Sequence, residues 1–237
     1  MQPLKRSVLI TGASSGIGRK IAESLLKQGH KVIGISRDCQ QFTHTHSQFF
    51  PLEIELADLK KLPQHATQLG KNHPDIDTLI FAAGYGQFAS LEEFSYAQIE
   101  TLMTVNFTSN VFLTRALLPR LKRKSRADLI YIGSEAALQG SRKGSIYCAS
   151  KFALRGFTQA LSDECAKSSI KVGLINPGMV KTEFFNPLNF EPGDQREQHL
   201  LPEDIAKTVN YMLSLERESV IDEININPLH KVIHFKK

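Results

Sequence analysis

The chain has 237 residues, 41% of them hydrophobic and 22% charged, with a formal net charge of +5. These are the proportions of an ordinary soluble globular protein, long enough for one large α/β unit and short for two, and no apolar run approaches a membrane span. The three cysteines, Cys39, Cys148 and Cys165, lack metal-ligand spacing; with no secretory signal in view, a cytoplasmic protein with reduced thiols is expected.

Residues 8–11 form an apolar run, read as the first strand. It leads into Thr11-Gly12-Ala13-Ser14-Ser15-Gly16-Ile17-Gly18, and a helical pattern follows over 16–28. A helix start carries free N–H groups and partial positive charge, which attract a phosphate. Glycines let the backbone turn sharply and approach a pyrophosphate. Strand, glycine loop and helix in this order make dinucleotide binding the expectation. The second strand, 31–36, ends in Ser36 and is followed by Arg37 and Asp38. A site for NAD usually places an acid near this strand end to accept from the ribose 2′-hydroxyl, whereas a cation there pairs with a 2′-phosphate. NADP(H) is therefore preferred, with NAD(H) kept open by Asp38. His44-Thr45-His46 has no Cys or acidic partners nearby, so no metal is expected.

Further strands are expected at 49–54, 77–82, 128–133, 171–176 and 220–226, and helices over 59–71, 96–123, 147–168 and 202–215. The alternation implies a doubly wound parallel sheet of about seven strands with helices on both faces, in a single domain over 1–237. The basic run Lys122-Arg123-Lys124-Ser125-Arg126 ends a helical pattern. Cations suit that end of the helix dipole, and without interleaved aromatics no nucleic-acid partner is expected. The segment 182–200 contains Pro187, Pro192 and Gly193 and follows a strand end. Ligands bind at such ends, so a substrate lid is expected there.

Tyr147 and Lys151 are four apart and share one face of a predicted helix. Ser134 closes the preceding strand, and Asn106 sits inside the long helical pattern, where asparagine is mildly unfavourable. Reducing a carbonyl needs a hydride on carbon and a proton on oxygen. A free phenol, with a pKa of ~10, exchanges protons poorly at neutral pH, and a neighbouring ammonium lowers that value. Lys151 would do this for Tyr147 while touching the nicotinamide ribose. Ser134 would hold the carbonyl oxygen, and Asn106 a water linking Lys151 to solvent. Tyr147 as a packing residue, Ser134 as a strand-end cap and Asn106 as a helix irregularity remain open.

The glycine loop, Asn106, Ser134, Tyr147-x-x-x-Lys151 and Asn176-Pro177-Gly178-Met179-Val180-Lys181-Thr182, in this order, resemble the short-chain dehydrogenase/reductase family over essentially the whole chain. The resemblance implies a three-layer Rossmann fold binding NAD(P)(H), with Tyr147 as acid/base, Lys151 and Asn106 as its support, and Ser134 orienting the carbonyl. It implies cofactor contacts from Gly12, Ser14, Ser15, Gly16, Ile17 and Gly18, from Glu55, Leu56, Ala83 and Gly84, and from Tyr147 and Lys151. Pro177, Gly178, Val180 and Thr182 would wrap the nicotinamide end, and Ser14 and Arg37 would meet the 2′-phosphate. It also implies a homodimer or homotetramer built on the helices at 96–123 and 147–168. The chain departs from the pattern at Phe81-Ala82-Ala83-Gly84, where the family has Asn-Asn-Ala-Gly, and at Glu55, commonly Asp. Both changes imply weaker cofactor binding at most. The expected activity is NADP(H)-dependent interconversion of a carbonyl and a secondary alcohol on a small molecule. A dinucleotide-binding regulator without turnover is the second reading; an epimerase or dehydratase would want a larger substrate domain. Tyr85, Gln87, Phe88, the segment 135–145, Phe184, Phe185 and Phe190 are the candidate pocket residues. The phenylalanines suit an apolar substrate or, equally, anchorage of the lid in the core.

Overall fold

A computed structural model describes residues 5–39 and 46–236, so His44 and Thr45 of the His-Thr-His run lie outside the described residues. In chain order the strands are β1 (Ser7–Thr11), β2 (Lys31–Ser36), β3 (Phe49–Glu53), β4 (Thr78–Phe81), β5 (Ala127–Ile132), β6 (Ile170–Pro177), β7 (Phe190–Pro192), β8 (Glu223–Ile226) and β9 (Ile233–Phe235). The α-helices are α1 (Gly16–Lys27), α2 (Leu62–Asn72), α3 (Tyr96–Met103), α4 (Ser109–Leu121), α5 (Ser145–Cys165) and α6 (Pro202–Ser214). Seven strands form one parallel sheet in the order β3-β2-β1-β4-β5-β6-β8. This is the expected doubly wound architecture. None of the described helices is long and apolar enough to cross a membrane.

Alternation along the strands builds the two cores. In β1, Leu9 points to one face and Ile10 to the other, and β4 splits Leu79 and Phe81 from Ile80 in the same way. Leu9, Phe81 and Tyr131 pack with Leu69 of α2, Leu113 and Leu117 of α4, and Leu154 and Leu161 of α5. Val8, Ile10, Ile80 and Ile130 pack with Ile21 and Leu25 of α1 and Ile205 and Val209 of α6. Each such fully buried side chain contributes about 2 kcal/mol of transfer free energy. Strands covered on both faces read as unbroken apolar runs, which is why the central ones were legible. Pro51 is tolerated in β3 because that strand lies at the sheet edge.

The structure differs from expectation in four places. The helix expected over 96–123 is interrupted by a π-helical segment, Thr104–Thr108, between α3 and α4. The wide turn centres on Asn106, which is fully buried and turned inward. Helix α2 begins later than expected because Asp58 accepts from the backbone N–H groups of Lys61 and Leu62, folding 58–62 as a separate turn. The last strand of the main sheet starts at Glu223 rather than 220. Finally, the irregular segment 182–200 holds β7, which pairs antiparallel with β9 at the end of the chain.

At the opposite end of the sheet from the glycine loop, Arg6 binds Asp77 (Nε–Oδ1 2.9 Å) and Asp128 through Nη2. The backbone N–H of Arg6 donates to His30 Nδ1 at 3.0 Å. These three charged groups join β1, β4 and β5 at their N-terminal ends.

Candidate active site

The site lies across the C-terminal ends of β1, β4, β5 and β6. Gly12 has φ +72°, and a Cβ on it would stand 2.8 Å from Ala83 Cα; one on Gly18 would stand 2.3 Å from the Gly12 carbonyl oxygen. Only glycine fits either position. Ser15 caps α1 without a side-chain hydrogen bond, and the first turn carries no acid. The free N–H groups of the helix start are therefore available to an anion, a cradle that fits a dinucleotide phosphate. Ser14 is half-buried and Ser15 exposed on this loop. Ile17 is partly buried and packs against the α1–α6 core. Gly16 faces Thr182, 3.6 Å from where its Cβ would be. Beside them is a cavity of about 480 Å³ lined by Arg19, Lys20, Lys181, Thr182 and Asn186 among others.

Arg37 is exposed after β2. Burial pushes the Tyr85 phenol up and the Arg37 charge pulls it back, so the two side chains lie within electrostatic reach of each other. Glu55 is exposed and its carboxylate accepts from the Ala57 N–H at 2.9 Å, closing its own turn. Leu56 is buried, its side chain packed in the α2–α4–α5 core. The Ala83 N–H donates to Thr11 Oγ1 at 3.2 Å, anchoring the loop after β4. Ala82 Cβ sits 3.3 Å from the point a Gly18 Cβ would occupy, so alanine here packs against the glycine turn.

Pro177 ends β6, and the Gly178 N–H donates to Ile226 O at 2.7 Å. Val180 is buried and bridges Leu200. Thr182 Oγ1 accepts from the Phe184 N–H at 3.3 Å and starts the short 3-10 turn Glu183–Phe185.

The structure brings Ser134, Tyr147, Lys151 and Asn106 together. Tyr147 is 7% exposed and Lys151 5%. Ser134 acts on the Tyr147 phenol to lower it, and its Oγ accepts from the Ala136 N–H at 3.1 Å. Lys151 Nζ donates to Ile132 O at 3.1 Å and lies 5.9 Å from the Tyr147 ring centroid. A Cβ on Gly84 would stand 3.2 Å from Asn106 Oδ1 and 3.7 Å from Lys151 Nζ, so this glycine keeps the space between them open.

One expectation is corrected here. Burial, not Lys151, dominates the phenol: it pushes Tyr147 up to about 12, against the lowering hydrogen bond from Ser134. Burial likewise pushes the Lys151 ammonium down to about 8. The Asn106 side chain bonds to protein. Its Nδ2 donates to Tyr85 O (3.0 Å) and Ser150 Oγ (3.2 Å), and its Oδ1 accepts from the Tyr85 N–H (3.1 Å).

Two supporting residues had not been singled out individually. Ser150 receives Asn106 and donates to the Tyr147 carbonyl at 2.7 Å. Asn176 Oδ1 accepts from the Ser134 N–H at 3.3 Å, while its Nδ2 is held by Glu223 and Asn225. The first lies between the recognised Tyr147 and Lys151, and the second opens the Asn-Pro-Gly motif; their neighbours were the only signal. Around the phenol stand Phe88, with ring centroids 5.1 Å apart, and Phe184, at 6.0 Å.

A family model described as short chain dehydrogenase matches residues 6–192. An NADP-dependent 3-hydroxy acid dehydrogenase of Schizosaccharomyces pombe is 31% identical, over 95% of this chain and 93% of that protein. Among solved structures, serine dehydrogenase in its closed form with NADP+ is 25% identical with a TM-score of 0.82, covering 92% of this chain and 93% of that one. A metagenomic short-chain oxidoreductase in complex with NADP is 26% identical with a TM-score of 0.80, covering 96% and 99%.

Proposed function

The chain belongs to the short chain dehydrogenase family, and from that premise we propose that it is an NADP(H)-dependent oxidoreductase interconverting a carbonyl and a secondary alcohol on a small molecule. The observation that carries this reading is the buried Tyr147 on α5, with the buried Lys151 one turn further along the same helix and Ser134 acting on its phenol. When bound, the cofactor supplies the hydride that the carbonyl carbon accepts. In reduction, Tyr147 gives its proton to the carbonyl oxygen while Ser134 holds that oxygen in place. A phenol pushed up to about 12 keeps its proton at neutral pH, so Tyr147 is stocked as the acid for this direction. Lys151, pushed down to about 8, is mostly charged at neutral pH and loses that charge just above it. Asn106 and Ser150 fix the backbone of Tyr85 and Tyr147 about this centre.

Gly12, Gly16, Gly18 and the open start of α1 would hold the pyrophosphate; Ser14 and Arg37 would hold the 2′-phosphate. The relative named NADP-dependent and the neighbours solved with NADP support this choice over NAD. A cytoplasmic homodimer or homotetramer packed through α4 and α5 belongs to the same reading. The test is cofactor oxidation over a panel of small aldehydes, ketones and diketones. NADPH consumption well above NADH consumption is expected. NADPH binding without turnover of any panel member would favour a dinucleotide-binding regulator.

A further inference from the structure

Building on the oxidoreductase reading, we infer that the substrate class is a carbonyl compound bearing a flat apolar group, such as an aryl ketone or aryl diketone. A carbonyl that reaches both the Tyr147 hydroxyl and Ser134 Oγ must place its neighbouring group against the rings beside them. Those rings are Phe88, from the loop after β4, and Phe184, from the segment before β7. Phe88 meets Phe190 edge-on at 5.0 Å, which continues the aromatic wall. Such rings favour a flat π-face over a small or charged group.

The lid's own core separates anchoring from lining. Met179, Phe185 and Leu188 are buried together and hold the segment down. Phe88, Phe184 and Phe190 are only partly buried and form the rim of that cluster. A Cβ on Gly86 would stand 2.5 Å from Phe184 Cζ and 2.8 Å from Phe88 Cε2, so the glycine lets the two rings converge.

The experiment compares 1-phenylpropane-1,2-dione with 3-oxobutanoate, by NADPH oxidation and by calorimetric binding to the protein loaded with NADP+, for wild type and Phe184→Ala. The aryl dione should exceed the oxo acid in kcat/KM by about tenfold or more, and Phe184→Ala should erase most of that ratio while keeping NADPH affinity. Equal or reversed preference, or a ratio unmoved in Phe184→Ala, overturns the inference, as does failure of both compounds to bind. Tight dione binding, weakened in Phe184→Ala but without turnover, would uphold the substrate class and sink the oxidoreductase reading instead.

Discussion

Replacing Asn106 with alanine removes three side-chain hydrogen bonds at once: two donated, to Tyr85 O and Ser150 Oγ, and one accepted from the Tyr85 N–H. Asn106 is fully buried, so water does not readily replace what is lost. At about 1 kcal/mol net for each bond, the substitution should cost about 3 kcal/mol. For a chain of this size each kcal/mol shifts Tm by about 2–4 °C, so thermal melting should fall by about 6–12 °C. Ser150→Ala removes one of the three together with the bond that Ser150 donates to the Tyr147 carbonyl, and should cost about 2 kcal/mol. Melting of the three proteins side by side, followed by far-ultraviolet circular dichroism, reads the series. An Asn106→Ala shift below about 2 °C, or equal shifts for both variants, would refute the view that this asparagine clamps the loop after β4 to α5.

Arg6→Ala strands the Asp77 and Asp128 carboxylates at the other end of the sheet, with Arg126 at 3.4 Å as partial compensation for Asp128. A loss of about 3 kcal/mol, the low end for a broken buried pair, should appear in urea unfolding. His30 accepts the Arg6 N–H, and burial holds its imidazole below its ordinary value. The unfolded chain therefore takes up this proton more readily. The His30 contribution is intact above about pH 6.5 and is lost as pH falls below it, and His30→Asn should flatten that limb of a Tm-versus-pH curve. Arg37→Ala should weaken NADPH binding by about tenfold in a fluorescence titration and leave NADH unchanged; equal losses would mean that Arg37 does not read the 2′-phosphate.

Most of the sheet was legible because its strands are buried on both faces. Runs such as Val8-Leu9-Ile10 and Leu129-Ile130 announce themselves by composition. The ribbon of Phe190-Glu191-Pro192 with Ile233-His234-Phe235 did not. It is three residues long on each side, β9 is exposed, and β7 contains a proline, so neither alternation nor apolarity marked it. The break at Thr104–Thr108 was hidden for another reason: the helical periodicity runs straight through it, and only the inward contacts of Asn106 select the wider turn. In the site, the order Asn106, Ser134, Tyr147, Lys151 was readable from spacing. The direction of the phenol's shift was not, because it depends on how completely the tertiary structure buries Tyr147.

Tyr147→Phe tests the central claim most directly, since it deletes one oxygen and keeps the ring packed between Phe88 and Phe184. With NADPH and any carbonyl that the wild-type protein reduces, turnover should fall by about 10²–10⁴-fold, the span of a lost general acid, while the NADPH dissociation constant stays within about threefold. Turnover within about tenfold of wild type would show that the proton comes from another group and would contradict the account.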